Sequence, residues 1–450
     1  MEENLEKLVA ELAALIEKDE SRSALALVED RHPVEIAEML DHLPEEKKRY
    51  LFQLLNTEMA ADVLQEVSDL SRDQLLETIE ISRLADIVHE TASDDAADIV
   101  GELPAEQAEE VLDQILPERA SELRQLLRYD EESAGGIMSK QYVSVPQDAT
   151  VQEAIERIRA SLDDVEFVHF LYVTDRRGAL AGFVSLAQLV LSRSDQKVSA
   201  VMESDVASVP TDMDQEEVAA LVEKYDLAAV PVVDRAGRLV GRITVDDIVD
   251  VIVDEASEDI SKMAGTTDEE IRHDSALRIA SIRLPWIAIS LLGGILSGTI
   301  IGHFRSTLGS LLALAFFIPV ITAMGGNIGI QSSAIVVRGL ATGEIGLFDI
   351  ARRLLRELRI GLLMGVMCGG IVGLVAFVWQ GNALLGVIVG SAMLSAITVA
   401  ATMGALVPLV FKKFNIDPAI ATGPFVTMSN DIVGLFIYFG LAFMLLRLLA

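Results

Sequence analysis

In the stretch VTMSNDIVGLFIYFG, residues 426–440, Asp431 stands in an apolar run whose polar neighbours are Thr427, Ser429 and Asn430. A carboxylate inside a hydrocarbon layer is costly and marks an ion or proton route, or a paired functional group. Thr427, Asp431 and Gly434 share a helix face by their spacing of four and three. No Lys or Arg occurs in the apolar runs at matching depth, so a structural salt bridge has no candidate and an ion or proton pathway is expected. A second stretch, PVITAMGGNIGIQSS at 319–333, places the amides Asn327 and Gln331 four apart on one face. Pro319, Gly325, Gly326 and Gly329 weaken a helix there. Irregular backbone at depth is expected where it lines a cavity; the other reading is a kinked helix whose amides bond its neighbours. Ser391, Ser395, Thr398 and Thr402 fall on one face of a further run, as helix-to-helix hydrogen-bonding residues do.

The elements that must carry these residues are membrane spans. Five apolar runs are long enough to cross a bilayer, at 284–304, 308–337, 360–379, 383–411 and 419–446. Basic residues precede the first run (Arg278, Arg283), separate the second from the third (Arg338, Arg352, Arg353, Arg356, Arg359) and follow the fourth (Lys412, Lys413). That asymmetry puts the N-terminal part in the cytoplasm and the C-terminus outside a plasma or inner membrane, with lipid around the spans. Glycine recurs every fourth residue at 294, 298 and 302 and at 361, 365, 369 and 373, spacing that lets helix backbones approach, here within one protomer. Cys368 is the one cysteine, so no intrachain disulfide forms, and it reads as a packing residue. The N-terminus has no basic segment followed by an apolar one, so no cleavable signal is expected.

Charge divides the chain near 283. The net charge is −33, composed of +5 in 283–450 and −38 before it. The acidic part should repel nucleic acid and attract cations. Within it lies an internal repeat. IMSKQYVSVPQDATVQEAI (137–155) matches VMESDVASVPTDMDQEEVA (201–219), and VTDRRGALAGFVSLAQLV matches VVDRAGRLVGRITVDDIV. Each copy reads strand, helix, strand, Asp-Gly-type turn, strand, helix, and the pair looks like tandem CBS domains, at 137–198 and 199–253. Such modules often hold adenine nucleotides on a Gly-x-x-Ser/Thr-x-x-Asp turn. The second copy has it as Gly241, Thr244 and Asp247; the first has Gly182, Ser185 and Gln188, without the acid. A nucleotide site and a purely structural sensor both stay open.

Residues 1–130 show helical periodicity only. IAEMLDHLP, AADVLQEVS and LADIVHETA begin 24 residues apart, with AADIVGELP at half that interval, as helix pairs stacked in a small superhelix would. A connecting helix at 246–268 follows the CBS pair. Its Asp247, Asp250, Asp254 and Glu258 share one side, with Glu255 and Asp259 beside them, and like charges at this spacing repel. More acids stand in the first domain (Asp62, Asp94, Asp95, Asp98) and in the second CBS copy (Asp214, Glu216, Asp226). If these groups pack together, a divalent ion such as Mg²⁺, Ca²⁺ or Mn²⁺ must sit between them.

The order of parts is a helical acidic domain, a CBS pair, a connecting helix, then five spans at 283–450 bearing GGNIGIQ and SND. It resembles the MgtE family of magnesium channels along essentially the whole chain. The resemblance implies a homodimer with a pore between its membrane domains, Asp431 holding hydrated Mg²⁺, and the connecting helix as a plug that closes when cytosolic Mg²⁺ rises. By motif position, Asp62, Asp94, Asp98, Asp214, Glu216, Asp226, Asp247, Asp250, Glu255, Glu258 and Asp259 match its sensor carboxylates, and Asp417 one at the cytoplasmic pore end. Asn327, Gln331, Thr427 and Asn430 join Asp431 as pore candidates. Ala187 and Gln188 depart from the basic-acidic pair of ATP-binding relatives, so ATP is not assumed. The expected function is Mg²⁺ entry. The alternatives are transport of Co²⁺, Mn²⁺ or Ni²⁺, or a proton-coupled secondary transporter with a CBS regulatory module. A CBS-regulated membrane enzyme is set aside, because the chain has neither a His-Glu-x-x-His motif nor a phosphate-binding Gly-rich Lys loop.

Overall fold

The computed structural model describes residues 2–161, 168–267, 270, 275–346 and 350–449. Two compact units result, Met1–Ile252 and Val253–Ala450.

The first unit begins with helices α1 (Glu2–Glu17) to α10 (Pro117–Leu126). After α2 (Ser21–Val28), alternate helices α3 (Pro33–Asp41), α5 (Thr57–Glu66), α7 (Ile81–Glu90) and α9 (Ala105–Gln114) start 24 residues apart and stack in sequence. The other set, α4 (Glu45–Leu54), α6 (Asp69–Leu76), α8 (Ser93–Gly101) and α10, keeps the same period. Each short helix is too apolar on one face to stand alone. Leu40, Phe52, Leu64, Leu75, Ile87 and Val100 from successive helices close one continuous core.

Two three-stranded sheets follow. In the first, β1 (Ser144–Pro146) runs parallel to β2 (Phe170–Thr174), which pairs antiparallel with β3 (Leu180–Ser185). Helix α11 (Val151–Ala160) crosses over and α12 (Leu186–Leu191) closes the copy. In the second, β4 (Val209–Pro210), α13 (Gln215–Tyr225), β5 (Ala229–Val233) and β6 (Leu239–Thr244) repeat the topology, and the expected order of elements is found in both. Each β-turn uses one device. Asp175 and Asp234 accept backbone N–H bonds from the residues two and four on, and Gly178 and Gly237 take the left-handed conformation at φ +80° and +75°.

Helix α14 (Val245–Ala264) leaves the second sheet as the connecting helix and spans the boundary of the two units. The expected bound at 268 lies outside the described residues.

In the second unit, five segments are long and apolar enough to cross a membrane: Ala276–His303, Leu312–Ala341, Ile350–Gln380, Ala383–Lys413 and Ala419–Leu448. They comprise α15 (Ala276–His303), α17 (Ile318–Ala341), α18 (Ile350–Gln380), α19 (Ala383–Lys413) and α20 (Thr427–Leu449), with the short α16 (Arg305–Ser310) after the first. Helix α18 starts ten residues before its apolar run does. Hydropathy locates the hydrocarbon, whereas Ala351, Leu354, Leu355 and the arginines at 352–359 are strong helix formers that carry the helix outward. The glycines of α18 form its seam with α19. A Cβ on Gly365, Gly369 or Gly373 would lie 2.8, 2.5 and 2.8 Å from the carbonyl oxygens of Leu394, Gly390 and Gly386. The α15 ladder is different, because a Cβ on Gly294, Gly298 or Gly302 would meet nothing within 4 Å among the described residues.

Candidate ion pathway and cation-sensing carboxylates

Helix α17 is continuous from Ile318, contrary to the irregular backbone expected at 319–333. Pro319 sits in its first turn, where no intrahelical N–H is lost. Gly326 and Gly329 are clearances for neighbours. A Cβ on Gly329 would fall 1.8 Å from Asn430 Nδ2, and one on Gly404 of α19 would fall 2.3 Å from the Gly329 carbonyl. The break lies instead at the start of the last span. Residues Thr422–Val426 form a π-type turn with Gly423 at φ −37°, ψ −113°, directly before α20.

With its partners close on one side, α17 leaves the opposite face uncovered. Asn327 and Gln331 are exposed there, together with Val320 and Ile335. Amide groups facing hydrocarbon are strongly disfavoured, so this face requires water or another polar surface. Asn430 is not on it. It is buried between the helices, its Nδ2 3.4 Å from the Gly325 carbonyl oxygen, and holds α20 to α17. The Thr427 hydroxyl donates to the Gly423 carbonyl at 3.1 Å and packs beside Gly326. Asp431, the next turn on, is half-buried, and among the described residues no hydrogen bond or ion pair to it is found. Tyr438 fixes the far half of α20 by donating to the Leu314 carbonyl at 2.8 Å.

A second carboxylate lies near the opposite end of the spans. Glu357 on α18 is buried, accepts from the Ser332 hydroxyl at 3.0 Å and pairs with Arg353 at 3.4 Å. Ser333 in turn bonds Thr422 at 3.1 Å. Sequence reading passed over Glu357. Its spacing of four from Arg353 is legible, but its bond to Ser332 on α17 is not written in any spacing.

Outside the spans, α14 brings its acidic side to the start of the last one. Asp417 accepts the Ala419 N–H through Oδ1 at 2.7 Å and meets Lys262 through Oδ2 at 2.6 Å. Lys262 also reaches Glu258 at 2.5 Å. Burial works against the Lys262 ammonium, but the hydrogen bonds to Asp417 and Glu258 more than offset it and raise its pKa. Asp259 is pushed up to about 6 by burial and then by the Asp417 charge, with Lys262 opposing. Glu255 lies one turn before, half-covered. Lys262 is a further residue that sequence reading missed, although it stands four after Glu258.

In the first unit, the start of α8 meets the start of α14. Asp94 is 9 % exposed, and its Oδ1 is buried without a hydrogen-bond partner. Burial, then Asp95, then Asp247 push the Asp94 carboxyl up to about 8. Asp95 is pushed up to about 7 by burial, Asp247, Asp98 and Asp250 in that order. Asp98 lies one turn further along α8 and is more open. Asp250 also raises Glu66 on α5, second to burial, and Asp62 is raised by burial and Glu58. So Asp62, Asp94, Asp98, Asp247 and Asp250 gather around the α5, α8 and α14 surfaces, joined by Glu66 and Asp95. Asp214 and Glu216, at the N-terminal end of α13, are separated from Asp226 at its C-terminal cap by the length of that helix. The chain does not bring these two groups together. Among the described residues no set of three or more His, Cys, Asp or Glu has the geometry to hold a metal ion. The orphaned Asp94 oxygen amid like charges nonetheless fits a hydrated cation, which needs acceptors at a distance rather than a closed cage.

The Gly241-x-x-Thr244-x-x-Asp247 turn has an explanation within the fold. Asp247 accepts from Thr244 N and Oγ1 at 2.9 and 2.7 Å, which caps α14. Gln188 does the same for Ser185 at 3.0 and 3.1 Å in the first copy. A Cβ on Gly241 would meet the Ser139 carbonyl oxygen at 2.9 Å, and one on Gly182 the Glu203 carbonyl at 2.5 Å.

Comparison with known proteins agrees with this layout. A family model described as a divalent cation transporter matches residues 318–441, one for the MgtE intracellular N domain matches 31–132, and CBS domain models match 134–194 and 198–254. The chain is 35 % identical to the magnesium transporter MgtE of Bacillus subtilis (strain 168) over 438 residues, 97 % of each protein. It is 35 % identical to that of Thermus thermophilus over 460 residues, 98 % of this chain and 99 % of the relative. A crystal structure of the cytosolic domain of the Mg²⁺ channel MgtE in complex with ATP aligns at TM-score 0.51 and 35 % identity, covering 54 % of this chain and 99 % of that one.

Proposed function

The chain belongs to the MgtE family, and from that premise we propose that it conducts hydrated Mg²⁺ into the cytoplasm through a pore between two copies, closed by Mg²⁺ on its acidic cytoplasmic side. The observation that carries this reading is the half-buried Asp431, which has no cationic partner among the described residues, one turn from Thr427, together with Asn327 and Gln331 on the uncovered face of α17. A second copy facing that surface would give paired carboxylates and amides. Mg²⁺ releases water reluctantly, so such groups would bind its hydration shell by hydrogen bonds. Asn430 has the supporting role of setting how closely α20 lies on α17.

The functional division is a sensor at 1–130, CBS copies at 137–198 and 199–253, a gate at 246–268 and a pore domain at 283–450. Asp62, Asp94, Asp98, Asp247 and Asp250 bind regulatory cations in the closed state. Asp214, Glu216 and Asp226 meet their counterparts only across the dimer. Glu255, Glu258, Asp259 and Asp417 hold the gate. The orphaned Asp94 Oδ1 and the closeness of Asp94 and Asp95 to Asp247 support a cation there. Nucleotide is no part of this reading, since the fold accounts for Gly241, Thr244 and Gln188. The N-terminus lies in the cytoplasm and the C-terminus outside.

Flux in liposomes with a cation series tests the pore. Asp431→Ala should assemble normally and fall to the background of empty liposomes for Mg²⁺. Flux should follow the Mg²⁺ gradient whether or not a proton gradient is present. Wild-type flux in Asp431→Ala would remove the pore assignment.

A further inference from the structure

We propose that Lys262 is a tethered cation that latches the connecting helix to the entrance of the last span, so that the closed arrangement is held in part without any divalent ion. The inference rests on the reading of α14 as the gate. Its ground is a contact between two elements distant in sequence. Lys262 reaches Asp417 at 2.6 Å and Glu258 at 2.5 Å. Asp417 is pre-set for this role, because the Ala419 N–H occupies its Oδ1 and leaves Oδ2 for the ammonium. The pair is shielded, with Lys262 24 % and Asp417 29 % exposed, so salt screens it less than a surface pair.

The backbone fit around the bridge is close. A Cβ on Gly423 would lie 2.5 Å from the Met263 carbonyl oxygen, so that helix end sits directly against the π-type turn. Gly265, at φ +75°, ends α14, and a Cβ there would come 3.2 Å from Pro424. Parting the ion pair therefore means lifting the helix end from the turn that begins the last span.

Charge balance gives the latch its regulatory meaning. Among the described residues, the Lys262 ammonium faces Glu258, Asp259 and Asp417, three carboxylates to one cation. That excess is what a divalent ion would neutralise. A chelator removes such an ion but leaves the lysine in place. Ions that bind the closed form then add their stabilisation to a contact already present.

Hydrogen exchange of the α14 amides in 253–264, in the full chain in nanodiscs with EDTA, reads the latch without transport. Lys262→Met should exchange about 5- to 10-fold faster than wild type, as expected for a partly shielded pair. Lys262→Arg should stay near wild type. Asp417→Asn should match Lys262→Met, and the double variant should be no faster than either. Added Mg²⁺ should slow the Lys262→Met exchange again. Equal rates for wild type and Lys262→Met in EDTA would overturn the proposal. Faster exchange in Lys262→Met together with flux that ignores internal Mg²⁺ would support the latch and count against the Mg²⁺-gating reading.

Discussion

Neutralising Asp94 should stabilise this protein when divalent ions are absent. The side chain is 9 % exposed, its Oδ1 has no donor, and Asp95 and Asp247 face it. Burial and those charges raise its carboxyl from 3.8 to about 8. A raised acid has the opposite linkage to a salt-bridged one. Below the ordinary value both states are protonated and nothing is lost. Between that value and about 8, the metal-free fold must either hold a proton or bear an uncompensated charge, so stability falls as pH rises. At pH 7 the ceiling is about 4 kcal/mol, and relaxation with water entry reduces it to about 2 kcal/mol. Asp94→Asn keeps the shape, removes the charge and adds an amide that can donate to Asp95 or Asp247. In EDTA at pH 7, exchange of the α8 amides should slow about 30-fold relative to wild type, which corresponds to that ~2 kcal/mol. In millimolar Mg²⁺ wild type should gain protection and Asp94→Asn should gain much less. Lowering the pH toward 5 should stabilise metal-free wild type and leave Asp94→Asn less changed, after correction for intrinsic exchange. If Asp94→Asn is less protected than wild type in EDTA, Asp94 makes a favourable contact there, and the cation-sensing argument built on its orphaned oxygen fails.

Two further outcomes follow from the geometry. Gly404→Val places side-chain carbons on the Gly329 carbonyl, and overpacking of this kind costs about 1–3 kcal/mol; thermal inactivation in detergent should come several degrees earlier, with flux lost alongside. Asp250→Ala removes a charge that faces Glu66 and Asp95, and single-channel recording should then show closure at higher internal Mg²⁺ than wild type. Unchanged closure would leave Asp250 a solvated residue.

The spans, the CBS pair and the helical repeat were legible because each writes a period into the chain. The 24-residue spacing of the apolar faces became the stacking of α3, α5, α7 and α9. The turn acids Asp175 and Asp234 repeat because both copies need the same backbone donors satisfied. What periodicity cannot carry is the partner across a gap. Gly325, Gly326 and Gly329 read as helix breakers, yet α17 is continuous through them, and the space beside Gly326 and Gly329 is taken up by Thr427, Asn430 and Val426 of the last span. Asn430 reads like Asp431, its neighbour, but one step of about 100° on a helix turns it from the half-open face into the α17 contact. Lys262 was hidden among its acids, since its significance depends on Asp417, far along the chain. Asp214 and Asp226 show the converse: the motif is plain, but a single chain sets them at opposite ends of α13.

The glycine seam of α18 and α19 has a mechanical consequence. Side chains between helices act as soft spacers that can change rotamer and let the rods slide. Here carbonyl oxygens of one helix abut the α-carbons of the other from Gly365 to Gly373, and there are few rotamers to change. The two helices thus bend as one beam of greater depth. They form a stiff pair in this half of the protein, in contrast to the last span, whose helix is interrupted by the non-helical step at Gly423.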